Sequence, residues 1–419
     1  MPLVGLSHKG SVSEVDPSGR GLASLRDADL FMIFHPLVSL GLDTGDGVSS
    51  LWDVKWVWWR VWVPGTARWR QGGNRWLAGR GEGVDKRGME ERLVLVTGGA
   101  GFIGANLVRY LLGLGYRVLT VDALTYAGRR ESLEGMAGGE RHELVVADIA
   151  DEGRMREVFE RFRPEWVLHL AAESHVDRSI RGPLEFVRSN VMGTAVLLEV
   201  ALGFWRGLSG VARERFRWVQ VSTDEVFGSL GEEGSFDEGS AYDPRSPYAA
   251  SKAGGDHLVR AWWHTYGFPA MITNCSNNHG PFQHVEKLIP TVITSALRGL
   301  PIPVYGNGEN TRDWLHVEDH CEALVRVALR GVPGETYLIG GGNEWRNLDL
   351  VRGICRWMGE LLPEGGDFSR LVTFVEDRPG HDFRYAVDSA KIRRELGWEP
   401  RKLGEDAFRE TVRWYVERW

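Results

Sequence analysis

A strand, a glycine-rich turn and a helix follow one another from residue 93, and this order constrains the fold most strongly. "LVLV" (93–96) is typical of a buried strand, and "ANLVRYLLGLG" has the spacing of an amphipathic helix. The turn between them carries Gly98, Gly99, Gly101 and Gly104, which let the backbone approach a pyrophosphate beside the helix N-terminus. A second strand, "YRVLTV", ends at Asp122, whose carboxylate would accept hydrogen bonds from ribose hydroxyls. The pattern predicts a dinucleotide site, and the acid favours NAD over NADP because it would repel a 2′-phosphate.

The alternation of strand and helix patterns continues along the chain. The strand-like stretches "HELVVADIAD", "PEWVLHLAAESHVD" and "FRWVQVSTDE" are separated by helical patterns such as "EGRMREVFERF". Strands that alternate with helices predict an α/β fold with a Rossmann-like, doubly wound parallel sheet, in which ligands bind beyond the carboxyl ends of the strands. We expect an NAD-binding domain over residues 89–273, a return segment near 313–340, and a smaller C-terminal α/β substrate domain over 274–419.

Composition narrows the class of protein. The chain has 419 residues, of which 43% are hydrophobic and 26% charged, as is typical of a globular protein with a large core. The net charge of −7 provides no basic surface for nucleic acid. The three cysteines are far apart, which favours a reducing cytoplasm over a zinc site or a disulfide framework, and we expect no metal. No apolar run approaches the roughly 20 residues of a membrane helix, so we expect no membrane partner.

Residues 1–88 differ from the rest of the chain in composition and in hydrophobic periodicity. They are rich in Gly and Trp, and "LWDVKWVWWRVWVPGTARWRQGGNRWLAGRGEG" has neither a helical nor a strand period. One interpretation is a regulatory or membrane-surface arm, since Trp with Arg suits an interface. We favour an atypical extension that is disordered or precedes the true start at Met89, and expect a chain beginning there to keep its activity and stability.

A tyrosine and a lysine lie one helical turn apart. In "DPRSPYAASKAGGDHLVRAWWHTYG", Tyr248 and Lys252 fall on one face of a predicted helix. A nearby ammonium favours the phenolate, so the pair can take a hydroxyl proton while a nicotinamide takes a hydride. With Ser222 and Thr223 at a strand end, this arrangement resembles the extended short-chain dehydrogenase/reductase family from Met89 onward.

Two adjacent acids follow Thr223. Asp224 and Glu225 suit an elimination, in which one carboxylate removes a proton and a carboxylic acid protonates the departing hydroxyl. Those roles require environments that separate the two pKa values. The alternative is that the acids cap the following turn.

Nine motifs together resemble the dTDP-glucose 4,6-dehydratase family. They are "TGGAGFIG", "DALTYAG", "LAAESHVDRSI", "STDEVFG", "YAASKAGGDHLVRAW", "TNCSNNHGPFQHVEKLIP", "RDWLHVEDH", "ETYLIGGGNEWRNLDLV" and "DRPGHDFRYAVD", in order after residue 88. The resemblance implies oxidation at C4 by NAD with Tyr248 as base, Lys252 and Thr223 assisting, then elimination across C5 and C6. Glu225 would take the C5 proton, Asp224 would protonate the C6 hydroxyl, and hydride would return to C6. It further implies a homodimer and a place in deoxysugar biosynthesis, such as that of rhamnose.

The resemblance also implies the binding residues. For the cofactor they are Gly98, Gly101, Phe102, Ile103, Gly104, Asp122, Ala123, Leu124, Thr125, Asp148, Ile149, Leu170, Ala171, Ala172, Glu173, Ser174, Ser189, Tyr248, Lys252 and Asn278. For the nucleotide-sugar substrate they are Ser174, Thr223, Asn277, Lys287, Leu288, Pro303, Tyr305, Arg312, Asn347, Asp377, Arg378, Pro379, Gly380 and His381. The cations among them suit phosphate oxygens, and arginine is better suited to bidentate contact.

Departures and alternatives remain. Phe227, His279 and Phe282 stand where the family usually has tyrosine, and Ser189 where threonine is commoner. The same dehydration of UDP-glucose stays open, as do a 4-epimerase or a decarboxylase, although the acid pair argues against the last two. From a different class, the chain could be a redox-silent NAD-binding interaction module, which has no need of five chemical groups kept together.

Overall fold

The computed structural model describes residues 92–136 and 139–418, and five short strands before them. The chain divides into two compact units, Met1–Val84 and Asp85–Trp419. In the first, strands Val4–Leu6 and Val12–Glu14 form an antiparallel pair, and Met32–Ile33, Trp58–Val61 and Arg70–Gly73 form an antiparallel sheet. Apart from these strands, the expectations for residues 1–88 lie outside the described residues and stay predictions.

A seven-stranded parallel sheet organises the second unit. Its strands are β1 (Leu93–Thr97), β2 (Arg117–Asp122), β3 (His142–Val146), β4 (Trp166–His169), β5 (Arg217–Thr223), β6 (Ala270–Cys275) and β10 (Thr336–Ile339). Their order is β10-β6-β5-β4-β1-β2-β3, and every neighbouring pair is parallel. The predicted α/β fold class is confirmed. Because all strands run the same way, their carboxyl ends meet at one edge.

Helices connect these strands and cover the sheet. They are α1 (Phe102–Gly113), α2 (Glu152–Phe162), α3 (Val176–Arg181), α4 (Pro183–Phe186), α5 (Thr194–Arg206), α6 (Gly210–Arg215) and α7 (Pro247–Tyr266). A π-helical segment, Val187–Gly193, joins α4 to α5. Short 3₁₀ turns lie at Arg130–Leu133, Gly139–Arg141, Asp224–Phe227, Pro363–Gly365 and Phe368–Leu371. The turn Asp224–Phe227 follows β5 directly and therefore holds the two acids at the sheet edge.

The remaining elements follow β6. They are β7 (Asn277–His279), α8 (Leu288–Arg298), β8 (Ile302–Tyr305), β9 (Thr311–His316), α9 (Val317–Arg330), β11 (Glu344–Arg346), α10 (Asn347–Leu361), β12 (Val372–Val375), α11 (Ala390–Leu396) and α12 (Gly404–Val416). Strand β9 pairs with β7 and β11, and β8 pairs with β12. Strand β10 places part of this half in the main sheet, and the expected domain border near residue 273 stays a prediction.

Two large apolar cores stabilise the main sheet and the C-terminal helices. One lies between the main sheet and helices α2, α5 and α7, and includes Phe159, Leu198 and Trp218. The other packs α8, α10 and α12 together around Trp357 and Phe408, whose rings stack at 6.0 Å. Burial of such side chains contributes about 1.5–3 kcal/mol each. Both cores pack the strands and helices that carry the loops at the carboxyl edge of the sheet, and so they anchor the two ends of these loops.

Among the described residues, one continuous helical run is long and apolar enough to cross a membrane. It spans Pro183–Arg206, and half of its apolar window is buried inside the protein. Leu197, Leu198 and Leu202 of this run belong to the first core. The run therefore behaves as a core helix of the sheet layer, and its length reflects the joining of α4, the π-helical segment and α5.

Candidate functional site

The glycine turn after β1 forms a cradle that side chains would fill. Gly98 has a φ of +68°, and a Cβ there would lie 2.7 Å from the amide nitrogen of Ala171. A Cβ on Gly104 would lie 2.1 Å from the carbonyl oxygen of Gly98. At Gly101 the nearest such contact is 3.3 Å, so this glycine faces the more open side, just before α1 begins. The turn therefore presents bare backbone and a helix N-terminus, which fits a pyrophosphate.

Asp122 ends β2 beside this cradle. Its Oδ2 accepts a hydrogen bond from the amide of Ala100 at 2.9 Å, and its Oδ1 accepts one from the amide of Leu124 at 2.8 Å. Burial raises the pKa of Asp122, while these two amides lower it. Each carboxylate oxygen can accept a second hydrogen bond, so the side chain keeps acceptor capacity for ribose hydroxyls. The residues present thus fit a dinucleotide.

Other predicted cofactor residues follow the ends of β3, β4 and β6. Asp148 accepts a hydrogen bond from the amide of Ala150, and Ile149 is buried. The amides of Leu170 and Ala171 donate to the Thr97 hydroxyl, which fixes the start of the 170–174 segment against β1. Glu173 lines a cleft of about 350 Å³ together with Tyr126, Arg178, Arg181, Gly182, Glu185 and Phe186. The cleft thus lies between the loop after β2, which holds Tyr126, and the segment after β4, which holds Glu173.

Five further predicted cofactor residues lie in three different settings. Ala123, Leu124 and Thr125 follow Asp122 in the loop after β2, where Leu124 has a φ of 53°. Ser189 lies half-buried in the π-helical segment. Asn278 is buried on β7, where its amide donates to the Ser276 carbonyl and its Oδ1 contacts His320. Its amide is thus occupied within the protein.

Helix α7 places Tyr248 and Lys252 at the sheet edge. Ser246 caps the helix by accepting from the amide of Ala249 at 3.0 Å, and Pro247 suits the first turn. Lys252 is buried, and its Nζ donates to the Val221 carbonyl of β5 at 2.7 Å. The phenol ring of Tyr248 packs edge-on against Phe186 at 6.3 Å. The pair predicted from helical spacing is therefore held against the strand that carries Thr223.

The pKa of Tyr248 differs from the expectation. Burial raises it well above the usual value, the charges of Glu225 and Asp224 raise it further, and a hydrogen bond with Thr223 lowers it. Lys252 donates to a backbone carbonyl of β5, and burial lowers its own pKa. In this state the phenol is held protonated.

The two adjacent acids lie in different environments. Asp224 is 2% exposed, and its Oδ1 accepts a hydrogen bond from the Thr223 hydroxyl at 3.2 Å. Its Oδ2 is buried and has no hydrogen-bond partner among the described residues. Burial raises the pKa of Asp224 well above the usual value, and Glu225 and Asp313 raise it further. Asp224 is therefore favoured as a neutral carboxylic acid.

Glu225 instead faces positive charge. Burial raises its pKa, but Arg378, Lys287 and Arg312 oppose that rise by favouring the carboxylate. From the sequence, the roles of acid and base required only that the pKa values of Asp224 and Glu225 differ. The structure supplies a physical cause for that difference. One acid has an unpartnered buried oxygen, and the other has three cations nearby. Such a pair can act as acid and base.

The cations near Glu225 are themselves predicted substrate residues. Arg312 is 5% exposed, donates to the Asp382 carbonyl at 3.0 Å, and lies over the Tyr385 ring at 4.4 Å. Lys287 caps α8, and its Nζ donates to the Ser174 carbonyl at 2.9 Å. This bond brings a predicted substrate residue to the segment after β4, where the predicted cofactor residues lie.

Pairing of β8 with β12 assembles the next group. It aligns Pro303 with Thr373 and Tyr305 with Val375, so Tyr305 approaches the 377–381 segment that follows β12. Within that segment His381 contacts Asp377 at 2.7 Å, and the His381 ring lies 6.4 Å from that of Tyr305. Pro379 and Gly380 complete the turn.

Leu288, Asn277 and Asn347 occupy element starts. Leu288 begins α8, Asn277 begins β7 and Asn347 begins α10. The Oδ1 atoms of both asparagines are buried and have no hydrogen-bond partner among the described residues. Asn347 directly follows β11, in which Trp345 faces Arg312 of β9, and its amide donates to the Asn310 carbonyl at 2.9 Å.

Sequence reasoning missed three carboxylates. Asp177, in α3, accepts from the Tyr305 hydroxyl at 3.3 Å and lies 3.8 Å from Arg378. Asp256 lies one helical turn after Lys252, so the spacing that revealed Tyr248 and Lys252 could also have revealed it. Asp313 accepts from the amides of Gly341 and Asn343, and no local pattern signals it.

The departures from the family pattern are accommodated by packing. Phe227 stacks on Phe236 at 5.1 Å. Phe282 lies under the Arg109 guanidinium at 4.1 Å and against Trp414 at 4.9 Å. His279 is fully buried against Phe408 at 4.5 Å. The three rings thus serve as packing groups.

Comparison with known proteins decides the family. The GDP-mannose 4,6 dehydratase family model matches residues 95–411. A probable dTDP-glucose 4,6-dehydratase of Sinorhizobium fredii is 53% identical over 324 residues, covering 77% of this chain and 93% of the relative. The chain belongs to the dTDP-glucose 4,6-dehydratase family.

Other members of the dTDP-glucose 4,6-dehydratase family agree. The dTDP-glucose 4,6-dehydratase 1 of Escherichia coli is 50% identical over 333 residues, covering 77% of this chain and 92% of its own. The crystal structure of the Streptomyces venezuelae enzyme, solved with NAD and dTDP bound, has a TM-score of 0.70 and 45% identity, covering 78% of this chain and 97% of that one. A UDP-glucose 4-epimerase of Thermotoga maritima, solved with UDP-glucose, has a TM-score of 0.69 at 27% identity, covering 78% and 99%.

Proposed function

We propose that this chain is an NAD-dependent hydro-lyase that converts dTDP-glucose to dTDP-4-keto-6-deoxyglucose and water. The observation that carries the proposal is the acid pair Asp224 and Glu225 at the end of β5: burial raises the pKa of both, but Arg378, Lys287 and Arg312 oppose the rise at Glu225, so Asp224 is the better acid and Glu225 the better base. Relatives about half identical, named for this activity, support it. Epimerisation requires no such pair.

For the cofactor, we propose NAD. The glycine cradle at Gly98, Gly101 and Gly104 would hold the pyrophosphate, and Asp122 would hold the adenosine ribose. When bound, NAD supplies the hydride acceptor for C4 of the sugar and afterwards the hydride donor for C6. The carboxylate at Asp122 disfavours NADP, since a 2′-phosphate would meet a negative charge.

For the oxidation, we propose that Tyr248 takes the proton of the C4 hydroxyl. Its phenol is protonated in the ligand-free protein because burial, and after it the charges of Glu225 and Asp224, disfavour the phenolate. Positive charge brought in with the cofactor would act in the opposite direction, and the Thr223 hydroxyl already favours the phenolate. Lys252, buried one helical turn away, adds a cation on the same helix face.

For the elimination, we propose that Glu225 removes the C5 proton, which is acidic because of the 4-keto group. Asp224 protonates the C6 hydroxyl, and this group leaves as water. The protonated state of Asp224 fits the second step, and the cations around Glu225 fit a carboxylate base. A hydride then returns to C6 and a proton to C5, so the nicotinamide ends in its starting oxidation state.

For the substrate, we propose that the diphosphate lies among Arg312, Lys287 and Arg378, and that Tyr305 and the Asp377–His381 segment flank the nucleoside. The positive charges that act on Glu225 come from those three cations, which supports one shared anion site. The product is a 4-keto-6-deoxy sugar, and we place the reaction in deoxysugar biosynthesis such as that of rhamnose.

Three incubations test the reaction and the choice of base together. Purified protein with NAD is mixed separately with dTDP-glucose, UDP-glucose and GDP-mannose, and products are measured by mass spectrometry. We expect loss of one water from dTDP-glucose at the highest rate. Faster loss from UDP-glucose would transfer the proposal to that substrate. A protein that binds NAD but removes water from none of the three would be the redox-silent module.

We also infer a homodimer formed through the first half of the second unit. Ile180, Leu184, Val187 and Met192 are exposed apolar side chains, and Leu184 is 79% exposed. They lie along α3, α4 and the π-helical segment, and a second copy of the chain would cover them. Light scattering should give twice the chain mass, and Leu184→Glu should lower it toward one chain. A monomeric wild-type protein would refute the inference.

We further propose a reducing cytoplasmic location. Cys275, Cys321 and Cys355 are buried free thiols, and a reducing compartment keeps such thiols from oxidation. Fractionation of cells that express the full chain tests this, and recovery with the membranes would contradict it.

A further inference from the structure

Asp256 is a carboxylate in the interior of the protein beside the proposed site. It is fully buried on α7. Its Oδ2 accepts hydrogen bonds from the hydroxyls of Ser222 at 2.6 Å and Tyr242 at 3.0 Å, and from the Asn274 amide at 3.4 Å. Its Oδ1 is buried and has no hydrogen-bond partner among the described residues. A buried carboxylate is costly unless a cation compensates it.

The cation that most favours the Asp256 carboxylate is Lys252. Burial raises the pKa of Asp256, and the charge of Lys252, one helical turn earlier, is the largest influence that opposes this rise. Arg260 acts in the same direction but less strongly, and it contacts the Tyr242 hydroxyl at 3.0 Å. The influence is reciprocal: burial lowers the pKa of Lys252, and Asp256 is the group that most strongly opposes this lowering.

The other groups that face Lys252 carry no charge at neutral pH. His169 approaches from β4, and burial lowers its pKa to about 3. Cys275 approaches from β6, and burial raises its pKa to about 12. Tyr248, on the same helix, is protonated for the reasons given above. Among the described groups that act on Lys252, Asp256 is therefore the only carboxyl group.

Hydrogen bonds also tie Asp256 to the strand that carries the reacting groups. Ser222 directly precedes Thr223, and Asn274 donates both to Asp256 and to the Thr223 carbonyl at 3.1 Å. The Lys252 ammonium in turn donates to the Val221 carbonyl of the same strand. Asp256, which lies on the same helix as Lys252, thus hydrogen-bonds to the strand that holds Thr223.

We propose that Asp256 is a positioning residue that keeps the Lys252 ammonium charged and fixes it against β5. The role of Lys252 in oxidation rests on the proposed function, but its protonation can be measured without substrate. A failure of this inference and a failure of the proposed function can thus be distinguished.

The direct test is the titration of Lys252 by NMR in ligand-free protein labelled at the lysine Cε, assigned with Lys252→Met. We expect Asp256→Asn to lower the titration midpoint of Lys252, because the variant keeps the shape of the side chain and removes its charge. Asp256→Glu should return the midpoint most of the way. The control Glu160→Gln removes a carboxylate from an exposed position on α2 and should leave it unchanged.

The second readout is the pH profile of kcat for water loss. Asp256→Asn should move its alkaline limb down by about one pH unit, the size expected for loss of one nearby opposite charge. Circular dichroism establishes that each variant is folded. If Asp256→Asn is unfolded, Tyr242→Phe replaces it, since loss of the 3.0 Å hydrogen bond should move the limb the same way by less. An unchanged Lys252 midpoint in folded Asp256→Asn, or an unchanged limb in Tyr242→Phe, would overturn the proposal.

Discussion

Replacement of Asp224 by asparagine tests the division of labour between the two acids. The side chain is 2% exposed, and its Oδ2 has no hydrogen-bond partner among the described residues, so little water can reach this oxygen and replace the lost proton donor. Asparagine preserves the shape and the contact with Thr223 but cannot give up a proton. General acid catalysis contributes about 10²- to 10⁴-fold, which corresponds to roughly 3–5 kcal/mol of barrier. We therefore expect water loss to slow by that factor.

The assay separates oxidation from elimination. In a single turnover, absorbance of the reduced nicotinamide should rise at the wild-type rate in Asp224→Asn and then persist, while mass spectrometry follows the delayed loss of water. Wild-type water loss in this variant would refute the acid role. Equal slowing of both steps would point to a misplaced substrate instead.

The same substitution has a consequence for stability. Because the pKa of Asp224 is raised in the fold, its contribution to stability is full below the ordinary aspartate pKa and is lost as pH rises through the folded value. Asp224→Asn should then have a higher Tm than the wild type at neutral pH, with a difference that shrinks in acid. A lower Tm at neutral pH would contradict the burial argument.

Four further predictions follow from the structure. Tyr248→Phe should abolish hydride transfer while NAD still binds, and reduced nicotinamide formed at the wild-type rate would disprove the base role. Asp224→Asn combined with Glu225→Gln should stop the reaction after oxidation, and wild-type turnover would refute both acid roles. Gly98→Ala should lose NAD binding in calorimetry, because its Cβ would lie 2.7 Å from a backbone nitrogen, whereas Gly113→Ala, with nothing within 4 Å, should bind normally. Burial lowers the pKa of His279 to about 3, so the stability that depends on its neutral form is full above the ordinary histidine pKa and is lost as pH falls toward 3. His279→Phe should reduce that loss of stability, measured by urea denaturation at several pH values. The control His264→Asn, at an exposed histidine, should not reduce it.

The sequence was sufficient for the sheet because its signals are local. The run from β1 through the glycine turn to Asp122 carries its strand, turn and helix patterns in adjacent residues, and each formed as expected. Helical spacing likewise placed Tyr248 and Lys252 together on α7. Both features need no knowledge of distant residues.

The electrostatics of the site could not be predicted in the same way. The pKa of Glu225 depends on Arg378 and Lys287, which reach it only through the β8–β12 pairing and the start of α8. Lys252 was expected to favour the Tyr248 phenolate, and the spacing gave no sign that its ammonium also donates to a carbonyl of β5. Asp177 contacts Tyr305 from a helix 128 residues earlier in the chain. These are long-range contacts, and no local pattern encodes them.

The most direct test of the account follows a single hydrogen atom. dTDP-glucose carrying deuterium at C4 is incubated with the protein and NAD, and the position of deuterium in the product is read by NMR. If oxidation at C4, elimination and hydride return to C6 occur in one site, the product is a 4-keto sugar that carries the deuterium at C6. Deuterium that returns to C4 in a sugar that has lost no water would indicate an epimerase and would contradict the account.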